Sequence, residues 1–367
     1  MPKNRVFVNN YCSLCAAGDN SQELFESICQ GKSGIQTNSS FFEGKSVGLG
    51  VVKDDLYDHL LQKIQTILKN SNLENFEETL LVIGSSVGGM KRSEEIYLKE
   101  NSYKNITPAL HTIDAISYTI NKKYKFKDDI SFSTACTSSA NALGYAYEVI
   151  SKGIYRNVLV VGFDTLCKIT VGGFSSLGVL SQFPCKPFDK QRDGMNVAEA
   201  LALLLLQDEK KQESVEMYGV GYSCDAHHMT QPNPQGLGAI SAMQKALTWC
   251  ELKKEEIDYI NAHGTGTLAN DSSELNAIKT LFGNSVQVSS TKSITGHTLG
   301  AAGALEAIIS IMVLQKQIVV PNHLLSESEI DGINYVFKAE QKKINYVLSN
   351  SFAFGGNNTS LCFGLAR

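Results

Sequence analysis

The chain has 367 residues, 43% of them hydrophobic, a formal net charge of -4 and nine cysteines. That length and apolar content suffice for a large buried core, and the near-neutral charge leaves no sequence-wide basic field to hold nucleic acid. An odd number of irregularly spaced cysteines argues against a disulfide framework and for a reducing compartment, the cytoplasm.

The N-terminal stretch carries Lys3 and Arg5 but no continuous apolar segment, so no targeting signal is expected. Cys12 and Cys15 form a CxxC without a second pair or a nearby histidine; they read as two ordinary thiols in a loop, and no metal is expected. Short β-rich runs recur at Leu80–Ile83, Ile130–Ser133, Val158–Val161, Ile257–Asn261, Val286–Ser289 and Tyr346–Asn350, most of them followed by a turn of small residues. Helical patterns lie between them at Leu56–Leu68, Thr137–Lys152, Leu237–Trp249, Ser272–Leu281 and Leu299–Leu314. Asp271 and Glu274 have the spacing of a capping box at the start of the fourth.

This alternation predicts an α/β protein whose strands are buried on both faces. The lysine-rich run 121–129 reads as a solvated face. Ala200–Leu206, the most apolar stretch noted, is too short to span a bilayer, so no membrane insertion is expected. The polar run 207–214 reads as a connection between two α/β halves, residues 1–210 and 211–367, within one unit.

Cys136 stands where a strand-like run meets a helix-like run. Unpaired N–H groups at a helix start favour thiolate over thiol and lower a cysteine pKa by roughly one or more units from about 8.5. An acyl-carrying nucleophile is the chemical reading; a small buried thiol is the ordinary one. His263 follows a strand and precedes Gly-Thr-Gly-Thr, small residues expected to let a thin substrate approach the backbone. His297 opens a helix pattern rich in Gly and Ala. Taken singly, each histidine reads as structural, but strand ends are where active groups of such folds gather, so both are candidates to meet Cys136.

The segments STACTSSANA around Cys136, PFDKQRDG from Pro187, DAHHMTQPNPQG from Asp225, NAHGTGTLAND around His263, STKSITGHTLGAAGALE around Lys292 and His297, and NSFAFGGNN from Asn350 carry a resemblance. From about residue 80 onward the chain resembles the β-ketoacyl-acyl-carrier-protein synthases, elongating condensing enzymes of the thiolase superfamily. The resemblance implies a thiolase-like fold, two related α/β halves forming a layered α-β-α-β-α sandwich. It implies decarboxylating Claisen condensation, with the acyl group on Cys136 and with His263 and His297 stabilising the enolate of a malonyl thioester. Backbone N–H groups of Cys136 and Phe354 would hold the tetrahedral oxyanion, and Lys292 would pair with Glu306. Thr265 and Thr267 would contact the pantetheine arm, and Phe352 and Phe354, beside Gly355 and Gly356, would gate the acyl pocket.

No cofactor is implied beyond the phosphopantetheine arm carried by the substrate. The implied partners are acyl carrier protein and a second subunit, in a homodimer or in a heterodimer with a ketosynthase-like relative. The alternative, a non-catalytic chain-length partner, is disfavoured because Cys136, His263 and His297 are all present. A thiolase would need a second catalytic cysteine in the C-terminal loop, and Cys362 lies beyond that loop in an apolar run. An initiating condensing enzyme of the His-Asn type would have asparagine in place of His297. Ala198, Ala200 and Ala353 replace glycines common in the family, and the region before residue 90 is short. These departures bear on the substrate, with fatty acid and specialised polyketide synthesis, including aryl polyenes, both in view.

Overall fold

Leu80 and Val82 face one side of their strand and Leu81 and Ile83 the other, and all four are buried. The same alternation holds for Ala200, Ala202, Leu204 and Leu206 against Leu201, Leu203 and Leu205. A continuous apolar run with period-two partition is what a strand covered on both faces requires. The computed structural model describes residues 4–39, 41, 46–73, 76 and 78–366; residues 1–3 of the N-terminal stretch lie outside them.

Among the described residues, the main sheet contains β1 (Val6–Cys15), β2 (Thr79–Gly84), β3 (Asp128–Phe132), β4 (Asn157–Asp164), β5 (Ala200–Gln207), β6 (Val215–Cys224), β7 (Tyr259–Asn261), β8 (Gln287–Ser289), β9 (Asn334–Tyr335), β10 (Tyr346–Phe352) and β11 (Asn357–Leu365). Their spatial order is β9-β8-β7-β10-β11-β6-β1-β5-β4-β2-β3. Outward from the antiparallel β1–β6 junction, β1-β5-β4-β2-β3 on one side mirrors β6-β11-β10-β7-β8 on the other. The first, fifth, fourth, second and third strands thus follow in the same order in both directions, with β9 added at the outer edge.

Helices build the other layers, among them α1 (Leu56–Asn70), α2 (Ala115–Tyr124), α3 (Ser138–Ser151), α4 (Leu237–Cys250), α5 (Leu268–Phe282) and α6 (Ala302–Lys316). α3 and α6 fill the middle, where Ala140, Leu143, Leu305 and Ile308 share one core with β1, β5, β6 and β11. Leu60 and Ile64 of α1 and Ile120 of α2 cover the outer face of one half, and Met243 of α4 and Ile278 of α5 cover that of the other. The result is the α-β-α-β-α sandwich of the thiolase-like fold. α3 and α6 cross closely because a Cβ at Gly303 would stand 2.6 Å from that of Ala140.

The stretch Leu299–Lys316 is long and apolar enough to cross a membrane, with mean hydropathy 1.4, yet 89% of it is buried inside the protein. It is apolar all round because sheets cover both of its sides.

Three sequence expectations change. Cys12 and Cys15 lie on β1 rather than in a loop, and they pack into cores on opposite faces of the sheet, as residues three apart on a strand must. α5 begins at Leu268 with Thr267 as its N-cap, so Asp271 and Glu274 are interior helix residues and not a capping box. The Gly-Thr-Gly-Thr glycines serve packing rather than substrate approach: at Gly264, φ +31°, a Cβ would meet Ser290 at 2.5 Å, and at Gly266, φ +83°, it would meet the carbonyl of Gly194 at 2.6 Å.

Candidate active site

β3 ends at Phe132, and the chain turns through the short 3-10 segment Ala135–Thr137 before α3 begins. Ala135 has φ +51°, an uncommon conformation for a residue with a Cβ, and it places Cys136 at the head of the central layer. Side chains hold this elbow. Ser138 Oγ accepts the Thr134 N–H at 2.9 Å, Thr137 Oγ1 donates to the Thr134 carbonyl at 2.7 Å, and Asn141 Nδ2 donates to Thr134 Oγ1 at 2.8 Å.

Burial raises the Cys136 thiol to about 11, against the pull of Lys292 and of the N–H groups of Phe354 and Cys136 itself. The expectation of a lowered pKa is therefore corrected. A 3-10 elbow supplies only a few N–H groups, and the desolvation of a cysteine only 8% exposed outweighs them.

His263 follows β7 in the C-terminal half. Its own N–H donates to Glu274 Oε1 at 2.8 Å and that of Gly264 to Oε2 at 2.7 Å, so one buried carboxylate clamps the turn that carries the imidazole. Asp271, one turn earlier on α5, accepts from the N–H groups of Thr265 at 2.9 Å, Gly266 at 3.1 Å and Phe188 at 2.8 Å. Sequence reasoning missed these two roles. The signal was present in two acids one helical turn apart behind a glycine-rich turn.

Lys292 is fully buried. Its Nζ donates to the His263 carbonyl at 2.6 Å, stands 3.3 Å from His263 Nδ1, and pairs with Glu306. His297 does not open a helix; it sits in the turn between Lys292–Thr295 and Leu299–Ala301, pinned by its N–H to the Asn196 carbonyl at 2.7 Å. The Leu299 N–H donates to its Nδ1 at 3.1 Å.

Both imidazoles are held well below the ordinary histidine pKa, first by burial and then by the Lys292 ammonium, with His297 adding to the effect on His263. Each is a neutral ring whose Nδ1 faces a donor, which assigns the ring proton to Nε2.

The two rings meet edge to face with centroids 5.2 Å apart, and ligating atoms of Cys136, His263 and His297 all lie within 4.8 Å of one another. That spacing would suit one metal ion, but the proton assignment gives two N–H donors where a metal needs lone pairs. A metal-bound histidine also ordinarily leans on a carboxylate or carbonyl, whereas Nδ1 of His263 faces an ammonium. The arrangement fits an oxygen that gains negative charge.

Three spaces that share lining residues surround this cluster. The central chamber is lined by Cys136, His263, His297, Thr265, Phe352 and Phe354. A second cavity of about 290 Å³ runs outward past Thr267, Leu268 and Asn270. A third, about 340 Å³, lies beyond Cys136 between Val87, Met90, Ile169, Phe174 and Leu299. Phe354 borders all three and stacks obliquely on Phe174 at 6.3 Å, while Phe352 is buried with its ring 6.0 Å from that of His263. Thr265 and Thr267 join their hydroxyls at 2.8 Å on the wall between chamber and channel.

The alanine substitutions are accommodated. Ala353 does not require positive φ, which falls instead on Gly355 at +86° and Gly356 at +81°. The Ala198 methyl fills the space that Gly50 and Gly296 leave, since a Cβ at either glycine would come within 2.6 or 2.8 Å of it.

Residues 51–212 match the family model for the N-terminal domain of beta-ketoacyl synthase, and residues 215–326 the model for its C-terminal domain. A 3-oxoacyl-[acyl-carrier-protein] synthase 2 from Coxiella burnetii is 31% identical, with 98% of each chain covered. The chloroplastic synthase II of Arabidopsis thaliana is 32% identical over 98% of this chain and 76% of its own. Among solved structures, a chain of the ketosynthase in complex with its chain length factor from Xenorhabdus doucetiae has TM-score 0.89 and 31% identity, covering 99% of this chain and 98% of that one. A beta-ketoacyl synthase from Burkholderia phymatum has TM-score 0.90 and 27% identity, covering 99% of this chain and 100% of that one. The chain belongs to the β-ketoacyl synthase family.

Proposed function

We propose that this protein joins an acyl group to the two-carbon unit of malonyl-acyl-carrier protein, with loss of CO2, and releases 3-oxoacyl-acyl-carrier protein. The observation that carries this reading is the convergence of one thiol and two Nε2–H donors on a chamber with one channel outward and one apolar cavity behind. A flexible arm bearing a thioester fits the channel, and an acyl chain fits the cavity. The chemistry asks for no cofactor beyond that phosphopantetheine arm and for no metal.

In the first half-reaction the Cys136 sulfur attacks the acyl thioester carbon. The N–H groups of Cys136 and Phe354, both directed at the sulfur, hold the resulting oxyanion. Collapse forms the Cys136 thioester, and the thiol proton leaves with the arm. In the second, loss of CO2 from the malonyl thioester builds an enolate whose oxygen takes the Nε2–H groups of His263 and His297. Its carbon attacks the acyl carbon on Cys136, and collapse of that intermediate expels the thiolate, which then takes up a proton. Lys292 and Glu306 are positioning residues that fix His263. Thr265 and Thr267 offer hydroxyls to the arm, and Phe352 and Phe354 gate the step between channel and cavity.

The two halves, residues 1–210 and 211–367, contribute the thiol and the histidines respectively. A cytoplasmic setting with acyl carrier protein as partner suits this chemistry. Complexes of a ketosynthase with a chain length factor among the similar structures support a paired subunit, and a type II PKS acyl-carrier protein in complex with its ketosynthase supports polyketide synthesis beside fatty acid synthesis. A non-catalytic chain-length role would leave the paired Nε2–H donors without purpose.

The test supplies acyl- and malonyl-loaded carrier protein and follows CO2 and 3-oxoacyl product. The wild type forms both and Cys136→Ala forms no condensed product. Absence of both from the wild type, with no acyl group accepted, contradicts the reading.

A further inference from the structure

Asp164, the last residue of β4, is fully buried and is met by five hydrogen-bond donors. Its Oδ1 accepts from Ser85 Oγ at 2.5 Å and Val87 N–H at 2.9 Å, while the Ser86 N–H is shared at 3.1 Å to Oδ1 and 3.0 Å to Oδ2. Its Oδ2 also accepts from Ser86 Oγ at 2.7 Å and from Gly300 N–H at 2.5 Å. The donors come from two turns far apart in sequence, Ser85–Val87 and Leu299–Ala301. Both border the acyl cavity, whose lining includes Ser86 and Val87 from one turn, Leu299 from the other, and Cys136.

Two further features show that the contact is tight. Leu299 holds φ +54°, a conformation disfavoured for a branched side chain. The next residue has no room for a Cβ, which at Gly300 would stand 2.5 Å from Ser86 N and 2.7 Å from Asp164 Oδ2. The same turn carries the N–H that fixes the ring of His297.

We infer that Asp164 is a positioning residue for acyl-donor selection: one buried carboxylate that locks two adjoining turns of the acyl-cavity lining together beside the nucleophile. This inference rests on the condensing activity proposed above. A carboxylate suits the task because both oxygens accept. An isosteric amide would turn an NH2 group toward N–H and O–H donors and release one turn from the other.

The test measures transfer from a series of acyl-carrier proteins of increasing chain length to Cys136, for the wild type and Asp164→Asn, with malonyl-carrier decarboxylation measured alongside. The ratio of kcat/KM between preferred and disfavoured donors narrows on the order of tenfold in Asp164→Asn, a larger change than that in decarboxylation. Gly300→Ala, which presses on the same carboxylate and on Ser86, shifts the ratio in the same direction, and it decides the matter if Asp164→Asn does not fold. A folded variant with an unchanged donor ratio overturns the inference, as does an equal loss across all donors and decarboxylation. A wild type that loads no donor contradicts the functional reading, and this inference with it.

Discussion

The N–H of Leu299 donates to Nδ1 of His297 at 3.1 Å, and this contact decides which face of the imidazole carries its proton. A neutral ring accepting at Nδ1 is protonated at Nε2, so His297 enters the chamber as a donor. Lys292 imposes the same tautomer on His263 from 3.3 Å. Two unlike groups, a backbone amide and a buried ammonium, thereby leave a matched pair of donors on one chamber, the preorganisation that the proposed enolate step needs.

Removing either donor exposes the consequence. His263→Ala and His297→Ala each slow malonyl decarboxylation by on the order of a hundredfold or more, measured as CO2 release from malonyl-carrier protein. Undiminished release in both variants would remove the histidines from the enolate step.

The thiol of the free enzyme titrates late. With Cys136 pushed up to about 11, alkylation of Cys136 by iodoacetamide rises with pH well past 9. A midpoint at or below about 8.5, the ordinary cysteine value, would show that the elbow N–H groups outweigh burial. The sign for stability follows from the raised value. The buried thiol contributes stability that is complete below the unfolded-state pKa near 9 and is lost as pH rises toward 11.

For the imidazoles the direction is opposite. Both are neutral in the fold and gain protons more readily when unfolded, so their contribution is complete above about pH 6.5 and falls as the medium is acidified. Raised carboxyls such as Glu274, at about 7, act the other way, so the difference between the wild type and a His263→Gln, His297→Gln double variant isolates the effect. Denaturant unfolding at several pH values shows the wild type losing ground against the double variant below about pH 6.5. Parallel profiles would contradict the neutral assignment.

Glu274 accepts two adjacent backbone N–H groups at 2.8 and 2.7 Å. Glu274→Gln sets an NH2 against one of them, at a cost of about 1–3 kcal/mol for a buried donor left unpaired. The His263 turn shifts, and decarboxylation kcat falls about tenfold with KM little changed. A fall confined to KM would place Glu274 with the arm channel instead.

The convergence of Cys136, His263 and His297 was legible in the sequence because each follows a short β-rich run, where this class of fold collects its chemistry, although a helical turn stands between that run and His297. Motif resemblance extended that to Lys292, Glu306, Thr265, Thr267, Phe352 and Phe354. The carboxylates behind the site were not legible. Asp271 and Glu274 have the spacing of a helix start, and only the fold shows that α5 begins at Leu268 and turns both acids toward the glycine-rich loop. β1 escaped notice because Asn9, Asn10 and Ser13 break its apolar alternation, although pairing with β5 along its length makes it a central strand. The thiol pKa failed for a related reason: helix-end electrostatics can be read locally, whereas the burial that raises Cys136 is set by tertiary packing.

The most direct measurement is the mass of residue 136 through one cycle. Incubated with an acyl-carrier protein, the wild type gains one acyl group on the peptide containing Cys136, and malonyl-carrier protein then discharges it into 3-oxoacyl product with CO2. An acyl group found on another residue, or one on Cys136 that malonyl-carrier protein leaves in place, would contradict the account.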